Sequence, residues 1–143
     1  PTSARSTSTI PSAASARDGD VIAVFGSAGE RDTAKRPLMG RIAAERCRLV
    51  IVTDEDPRGE DRDAILAEIA AGARSAGALP DEAILLIADR RAAIATAVQQ
   101  AAPGDTVLLA GKGHERSIIG PDGPAPWDER AEAEAALHAL GFG

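Results

Sequence analysis

Cysteine occurs once in these 143 residues, tyrosine not at all, and aromatic side chains make up only 2%. A lone Cys47 excludes an internal disulfide and a cysteine-built zinc site, and fits a reducing compartment. Its setting, Ala43-Ala-Glu-Arg-Cys-Arg-Leu49, reads as a helix end without the electropositive pocket that a reactive thiolate needs. So few aromatics leave no platform on which bases could stack, and a net charge of −6 opposes a phosphate backbone, so no nucleic-acid partner is expected. No apolar run approaches the ~20 residues of a membrane-spanning helix. The chain is therefore read as soluble and cytoplasmic, with no membrane partner. No His/Cys/Asp spacing repeats in the manner of a metal centre, so no metal ligand is assigned. The chain also has neither a Walker loop ending in Gly-Lys-Ser/Thr nor a GxGxxG fingerprint.

What is present is a rhythm. Hydrophobic residues amount to 44%, enough for one domain core built from Ala, Val, Ile and Leu. Residues 1–20 are rich in Ser, Thr and Ala without apolar periodicity and read as a disordered arm or linker; without an initiating methionine, the chain is expected to be part of a longer protein. From Val21 onward, short β-rich runs alternate with amphipathic stretches. Strands are expected at Val21–Phe25, Leu49–Thr53, Ala83–Ile87 and Thr106–Leu109. Helices are expected over Pro37–Arg46, from about Asp61 to Gly72, over Arg90–Ala101 and over Glu129–Leu140, with proline placed to open the first. Four such alternations predict an α/β, Rossmann-like fold: a mostly parallel sheet flanked by helices, over residues 21–143. Ser117–Ile119, ahead of the turn signal Gly120-Pro-Asp-Gly123, is read as a short antiparallel edge strand.

In a parallel sheet the loops after Phe25, Thr53 and Ala110 leave from one rim, the carboxyl ends of the strands, where open α/β sheets bind ligands. The first, Gly26 to Pro37, offers Arg31, Lys35 and Arg36 to anions. The second sets Asp54, Glu55 and Asp56 beside Pro57 and Arg58, carboxylates for an ammonium group and a guanidinium for a carboxylate. Asp, Pro and Gly there also suit a plain turn with a helix cap. The third, Ala110-Gly-Lys-Gly-His-Glu115, brings a cation, an imidazole and a carboxylate together between glycines. His138 has no partner motif and reads as an ordinary helix residue, and Trp127 as a packing anchor between loop and helix.

Taken in order, Gly-Glu-Arg-Asp-Thr-Ala-Lys-Arg-Pro-Leu-Met-Gly, Val-Thr-Asp-Glu-Asp-Pro-Arg and Ala-Gly-Lys-Gly-His-Glu resemble the C-terminal domain of the Mur ligases, over about Val21 to the C-terminus. The resemblance implies one third of an ATP-dependent amide ligase of peptidoglycan precursor synthesis. Such enzymes phosphorylate the terminal carboxylate of UDP-MurNAc-L-Ala-D-Glu with ATP and Mg2+, and a diamino acid's amine then attacks the acyl phosphate. ATP and Mg2+ would be bound mainly by a central domain that this chain lacks, so the isolated chain is expected to be inactive. The family's amino-acid contacts fall on Arg31, Glu55, Asp56, Arg58, Gly111 and Glu115, and its nucleotide contacts on Asp32 and Lys35; no catalytic residue is carried over. Arg31 and Arg58 would hold carboxylates, and Glu115 with Asp56 an ammonium group. Relatives that select meso-diaminopimelate typically read Asp-Asn-Pro-Arg where this chain reads Glu55-Asp56-Pro57-Arg58. Asp56 adds a negative charge that favours an amine, whereas Arg58 favours a carboxylate; meso-diaminopimelate is the first choice, with ornithine or lysine next. The alternative is a stand-alone amino-acid or nucleotide binding module without catalysis.

Overall fold

The computed structural model describes residues 19–30 and 33–142. Four strands, β1 Val21–Phe25, β2 Leu49–Val52, β3 Ile84–Leu86 and β4 Thr106–Leu109, form one parallel sheet in the order β3-β2-β1-β4. Between them run the helices α1 Lys35–Arg46, α2 Arg62–Ser75 and α3 Arg90–Gln100, and α4 Glu129–Ala139 closes the described chain. The α/β Rossmann-like architecture read from the periodicity is the one observed. β1 and β2 are sealed on both faces, which is why they read as unbroken apolar runs. Ile22, Val24, Leu49 and Ile51 pack with Ala93, Ile94 and Ala97 of α3, while Ala23, Phe25, Val50 and Val52 pack with Ile65, Leu66 and Ile69 of α2. The period of two along each strand thus divides one sheet between two cores.

The first three strands step in one direction across the sheet, and α3 then carries the chain back so that β4 lies on the far side of β1. The reversal places a topological switch point between β1 and β4, the usual ligand crevice of such sheets. On the α1 side, Leu108 of β4 is 50% exposed, and an apolar groove lined by Phe25, Met39, Ile42 and Leu108 runs between α1 and β4 with Glu55 and Gly111 at its rim end. At the opposite edge, Asp105 accepts from the backbone N–H groups of Asp20 and Ala102 and from Arg48, fixing the start of β1 beside β4.

Two helix boundaries differ from expectation by more than a residue, and one strand pairing differs, each for a physical reason. Helix α1 begins at Lys35, two residues before Pro37, because proline lacks only an N–H that has no intrahelical partner in a first turn. Helix α2, capped by Asp61 accepting from the Asp63 N–H at 3.0 Å, continues past Gly72 to Ser75. Gly72 is a packing residue and not a stop: a Cβ there would lie 1.9 Å from the Pro37 carbonyl oxygen, and a Cβ on Gly40 would lie 1.9 Å from that of Ile69. The two helix backbones touch through this pair of glycines. Gly72→Ala is accordingly expected to cost about 3 kcal/mol and lower the thermal midpoint by roughly 10 °C. An unchanged midpoint would show that α1 can move aside.

The third difference concerns Ser117–Ile119, expected at the edge of the main sheet. Instead, β5 Ser117–Gly120 pairs with β6 Gly123–Pro126 in a separate two-stranded hairpin. Gly120-Pro-Asp-Gly123 folds the chain straight back, with Gly123 at φ +106°, so the nearest partner for β5 is local. Among the described residues no helix is long and apolar enough to cross a membrane.

Candidate functional site

All four strands point the same way, so the segments after Phe25, Val52 and Leu109 emerge together, and hydrogen bonds bind them into one rim. The Gly29 N–H donates to the Asp56 carbonyl at 2.7 Å, joining the first loop to the second. Lys112 Nζ donates to Asp56 Oδ1 at 2.7 Å and lies 2.8 Å from Glu115 Oε1, joining the second to the third. The hairpin completes the cluster: the Ile119 N–H donates to Asp56 Oδ1 at 2.9 Å, and the Arg58 N–H to the Ile119 carbonyl at 2.7 Å. Gly111, at φ +107°, packs so that an added Cβ would sit 3.2 Å from Glu55 Oε1.

Of the residues singled out from sequence, Glu55, Asp56, Arg58, Gly111 and Glu115 are therefore brought together. Lys35 stands apart, exposed in the first turn of α1. Arg31 and Asp32 lie outside the described residues. Arg36, expected among the anion-binding cations of the first loop, is instead fully buried. Its guanidinium donates to both carboxylate oxygens of Glu60, to Glu68 and to the Ala28 carbonyl. It is spent on holding the first loop to the second.

The electrostatics of the cluster are uneven. Burial would raise the Asp56 pKa, but the Lys112 and Ile119 hydrogen bonds and the nearby charge of Arg58 more than offset it, leaving the carboxyl below its ordinary range. Glu55 goes the other way: burial raises its pKa, and the Lys112 charge only partly opposes this. Asp56 and Glu115, the pair expected to clasp an ammonium group, clasp that of Lys112. Glu55 is the acidic residue of the cluster without an ion pair among the described residues. Arg58 adopts φ +56°, an uncommon conformation for a residue with a side chain, and its Nε is buried without a hydrogen-bond partner among the described residues. Cys47 caps α1, and burial pushes its thiol up, away from the thiolate.

The Arg36 clasp has a measurable signature. Hydrogen bonds from Arg36 and from the Glu30 N–H hold the Glu60 carboxyl down at about 2, against an ordinary value of 4.5. Because the folded pKa is the lower one, this contribution to stability is complete above about pH 4.5 and disappears as pH falls toward 2. Glu60→Gln should lower the thermal midpoint at pH 7 and flatten its decline between pH 5 and 2, by roughly one proton's worth of linkage. An acid limb as steep as that of the unsubstituted chain would refute the assignment.

Sequence reasoning missed Arg90 and Glu129. Arg90, 1% exposed, opens α3 at the same rim and donates from Nε and Nη2 to the two carboxylate oxygens of Glu129 at 2.9 and 2.7 Å. Trp127 Nε1 donates to Glu129 at 2.9 Å, so the expected packing anchor also carries a hydrogen bond. Nothing in the local sequence could have signalled the pair, whose members are 39 positions apart.

A parallel Rossmann-like sheet with a charged rim at its carboxyl edge defines an α/β domain of the class whose ligands, where it has them, lie beyond the strand ends. The chain belongs to the Mur ligase family: the model of the family described as "Mur ligase, glutamate ligase domain" matches residues 1–113. The match takes in residues 1–20, which the motif resemblance had left aside, and ends inside the Gly-Lys-Gly-His-Glu loop. The chain is 65% identical over 126 residues to UDP-N-acetylmuramyl-tripeptide synthetase of Roseiflexus sp. (strain RS-1), covering 88% of this chain and 25% of that protein. It is 48% identical over 119 residues to UDP-N-acetylmuramoyl-L-alanyl-D-glutamate–2,6-diaminopimelate ligase of Synechococcus elongatus, covering 83% and 23%. A solved structure of a ligase of that latter name superposes with a TM-score of 0.77 at 36% identity, over 87% of this chain and 25% of the other. The chain thus spans about a quarter of the length of these relatives.

Proposed function

We propose that this chain is the C-terminal domain of an ATP-dependent ligase that adds a diamino acid to UDP-MurNAc-L-Ala-D-Glu in cytoplasmic peptidoglycan precursor synthesis. Meso-diaminopimelate is the first choice of diamino acid, and ornithine or lysine the next. The observation that carries the reading is the convergence of Glu55, Asp56, Arg58, Gly111 and Glu115 at one rim, bound together by Lys112 and the hairpin. Such a rim suits an amino acid with charges at both ends. The Arg58 guanidinium, and Arg31 with it, would take carboxylates; Glu55 and the exposed carboxylate of Glu115 would take an ammonium group. Gly111 lets the third loop approach the ligand where a side chain would intrude.

The domain's work in this reading is orientation: it presents the nucleophilic amine to an acyl phosphate formed elsewhere and shields it from water on closure. Asp32 and Lys35 would reach the nucleotide in the closed state. ATP with Mg2+ would be held by a preceding domain, and the chain by itself would form no product. A ligase assay on the parent protein, with ATP, magnesium, UDP-MurNAc-L-Ala-D-Glu and each diamino acid separately, tests the reading by mass detection. Tripeptide from one of the three is the expected result; no product from any of them, with the parent folded and binding ATP, would sink it.

A further inference from the structure

We propose that Arg90 is a positioning residue of the rim: its one guanidinium fixes the two peptide units from which Glu55 and Gly111 project. Nη1 donates to the Asp54 carbonyl at 2.8 Å and Nη2 to the Ala110 carbonyl at 2.9 Å. These carbonyls belong to the Asp54–Glu55 and Ala110–Gly111 peptides, so a single rigid fork sets the spacing and tilt of the second and third loops as they leave β2 and β4. A lysine could not do this, having no planar array of donors.

The fork is itself held. Nε and Nη2 form a bidentate pair with Glu129, whose Oε1 also accepts from Trp127 Nε1, and the Trp127 N–H is bonded to the Arg116 carbonyl at the far end of the third loop. A chain of contacts therefore runs from the start of α4 through Glu129 and Arg90 to the two peptides of the rim. Thr53 Oγ1 and the Asp54 N–H both bond the Ala88 carbonyl, so β2's exit is tied to the residues leading into Arg90 as well. The positions of Glu55 and Gly111 are thereby set by the buried Arg90–Glu129 pair behind the rim. The geometric part of this inference stands by itself; its consequence for substrate use rests on the ligase reading above.

The test uses Arg90→Lys and, as the milder variant, Trp127→Phe, which keeps an aromatic ring against the core while removing the donor to Glu129. In the 143-residue chain, the amide resonances of Glu55 and Gly111 report on the same peptide units whose carbonyls Arg90 engages. Both should shift in Arg90→Lys and move in the same direction, by less, in Trp127→Phe, while the amides of Ile65 and Ile69 in α2 stay in place. In the parent ligase, Arg90→Lys should raise the KM for the diamino acid about tenfold with the KM for ATP unchanged, as misplacing an orienting group does. A purely structural role would lower kcat with the folded fraction and leave both KM values alone. If either folded variant keeps wild-type Glu55 and Gly111 resonances, the positioning inference is overturned; if the resonances move and the diamino-acid KM does not, its substrate consequence is. Shifted resonances together with a wild-type parent that uses no diamino acid would overturn the ligase reading and leave Arg90's role intact.

Discussion

A Lys112→Met chain is expected to lose about 3 kcal/mol of folding stability, because the change breaks a buried ion pair at the rim. The Lys112 side chain is fully buried, and its Asp56 partner is 10% exposed. Methionine fills the volume of the stem but leaves the Asp56 carboxylate buried without its cation, and removing one member of a buried pair costs about 3 to 5 kcal/mol. The lower end applies, because Asp56 keeps the Ile119 N–H and the nearby charge of Arg58. The second bond of Lys112, to Glu115, adds little, since that carboxylate is 56% exposed and solvated.

The pH dependence separates lost charge pairing from lost packing. In the unsubstituted chain the Asp56 pKa is held down, so its contribution is full above its ordinary value of 3.8 and is lost as pH falls below it. Without Lys112 the burial that opposes ionisation has less to offset it, and protonating Asp56 relieves the variant. The stability gap between the two chains should therefore narrow below about pH 4 in urea titrations. A gap that stays constant down to pH 3 would place the loss in packing, and a gap under about 1 kcal/mol at pH 7 would mean that Asp56 is solvated once Lys112 is gone.

Most of the fold was legible because its signals are local. Val21–Phe25 and Leu49–Val52 declare themselves as strands by being buried on both faces, and four strand-helix alternations leave a parallel sheet as the consistent answer. The rim follows from that topology, which gathers the second and third loops, and the resemblance to the Mur ligases picks Glu55, Asp56, Arg58, Gly111 and Glu115 out of them. What escaped depends on distant partners. Gly72 looks like a helix stop until Pro37 is seen against it, and Arg36 looks like a free cation until Glu60 and Glu68 close on it. Lys112 shows the same limit within a motif that the sequence singles out: its neighbours place it in the loop, but only the fold gives its ammonium group to Asp56. Arg90 and Glu129 carried no local mark at all, because the acceptors that make the buried Arg90 guanidinium tolerable come from residues 20 to 39 positions away.

For the ligase proposed here, Arg58→Ala should reduce kcat/KM for meso-diaminopimelate about 100-fold and leave that for lysine or ornithine within a few-fold. The two kinds of substrate share an α-amino acid end and a distal amine, and differ in a distal carboxylate. Removing the cation that pairs with a desolvated carboxylate costs about 3 kcal/mol, which is roughly two powers of ten. A substrate without that carboxylate has nothing to lose. Arg58 is suited to the task, since its backbone is fixed in a left-handed turn by the bond to Ile119 and its Nε has no protein partner among the described residues. Asp56→Asn should act in the opposite sense, improving diaminopimelate use by removing a negative charge beside the incoming carboxylate. Because Asp56 also anchors Lys112 and the Ile119 N–H, that variant has to be compared at equal folded fraction. Steady-state kinetics of both variants on all three amino acids decide the matter. Equal losses on diaminopimelate and lysine in Arg58→Ala would mean that Arg58 holds the carboxylate common to both, and selection would then have to come from the charge of Glu55 and Asp56 acting on the distal end.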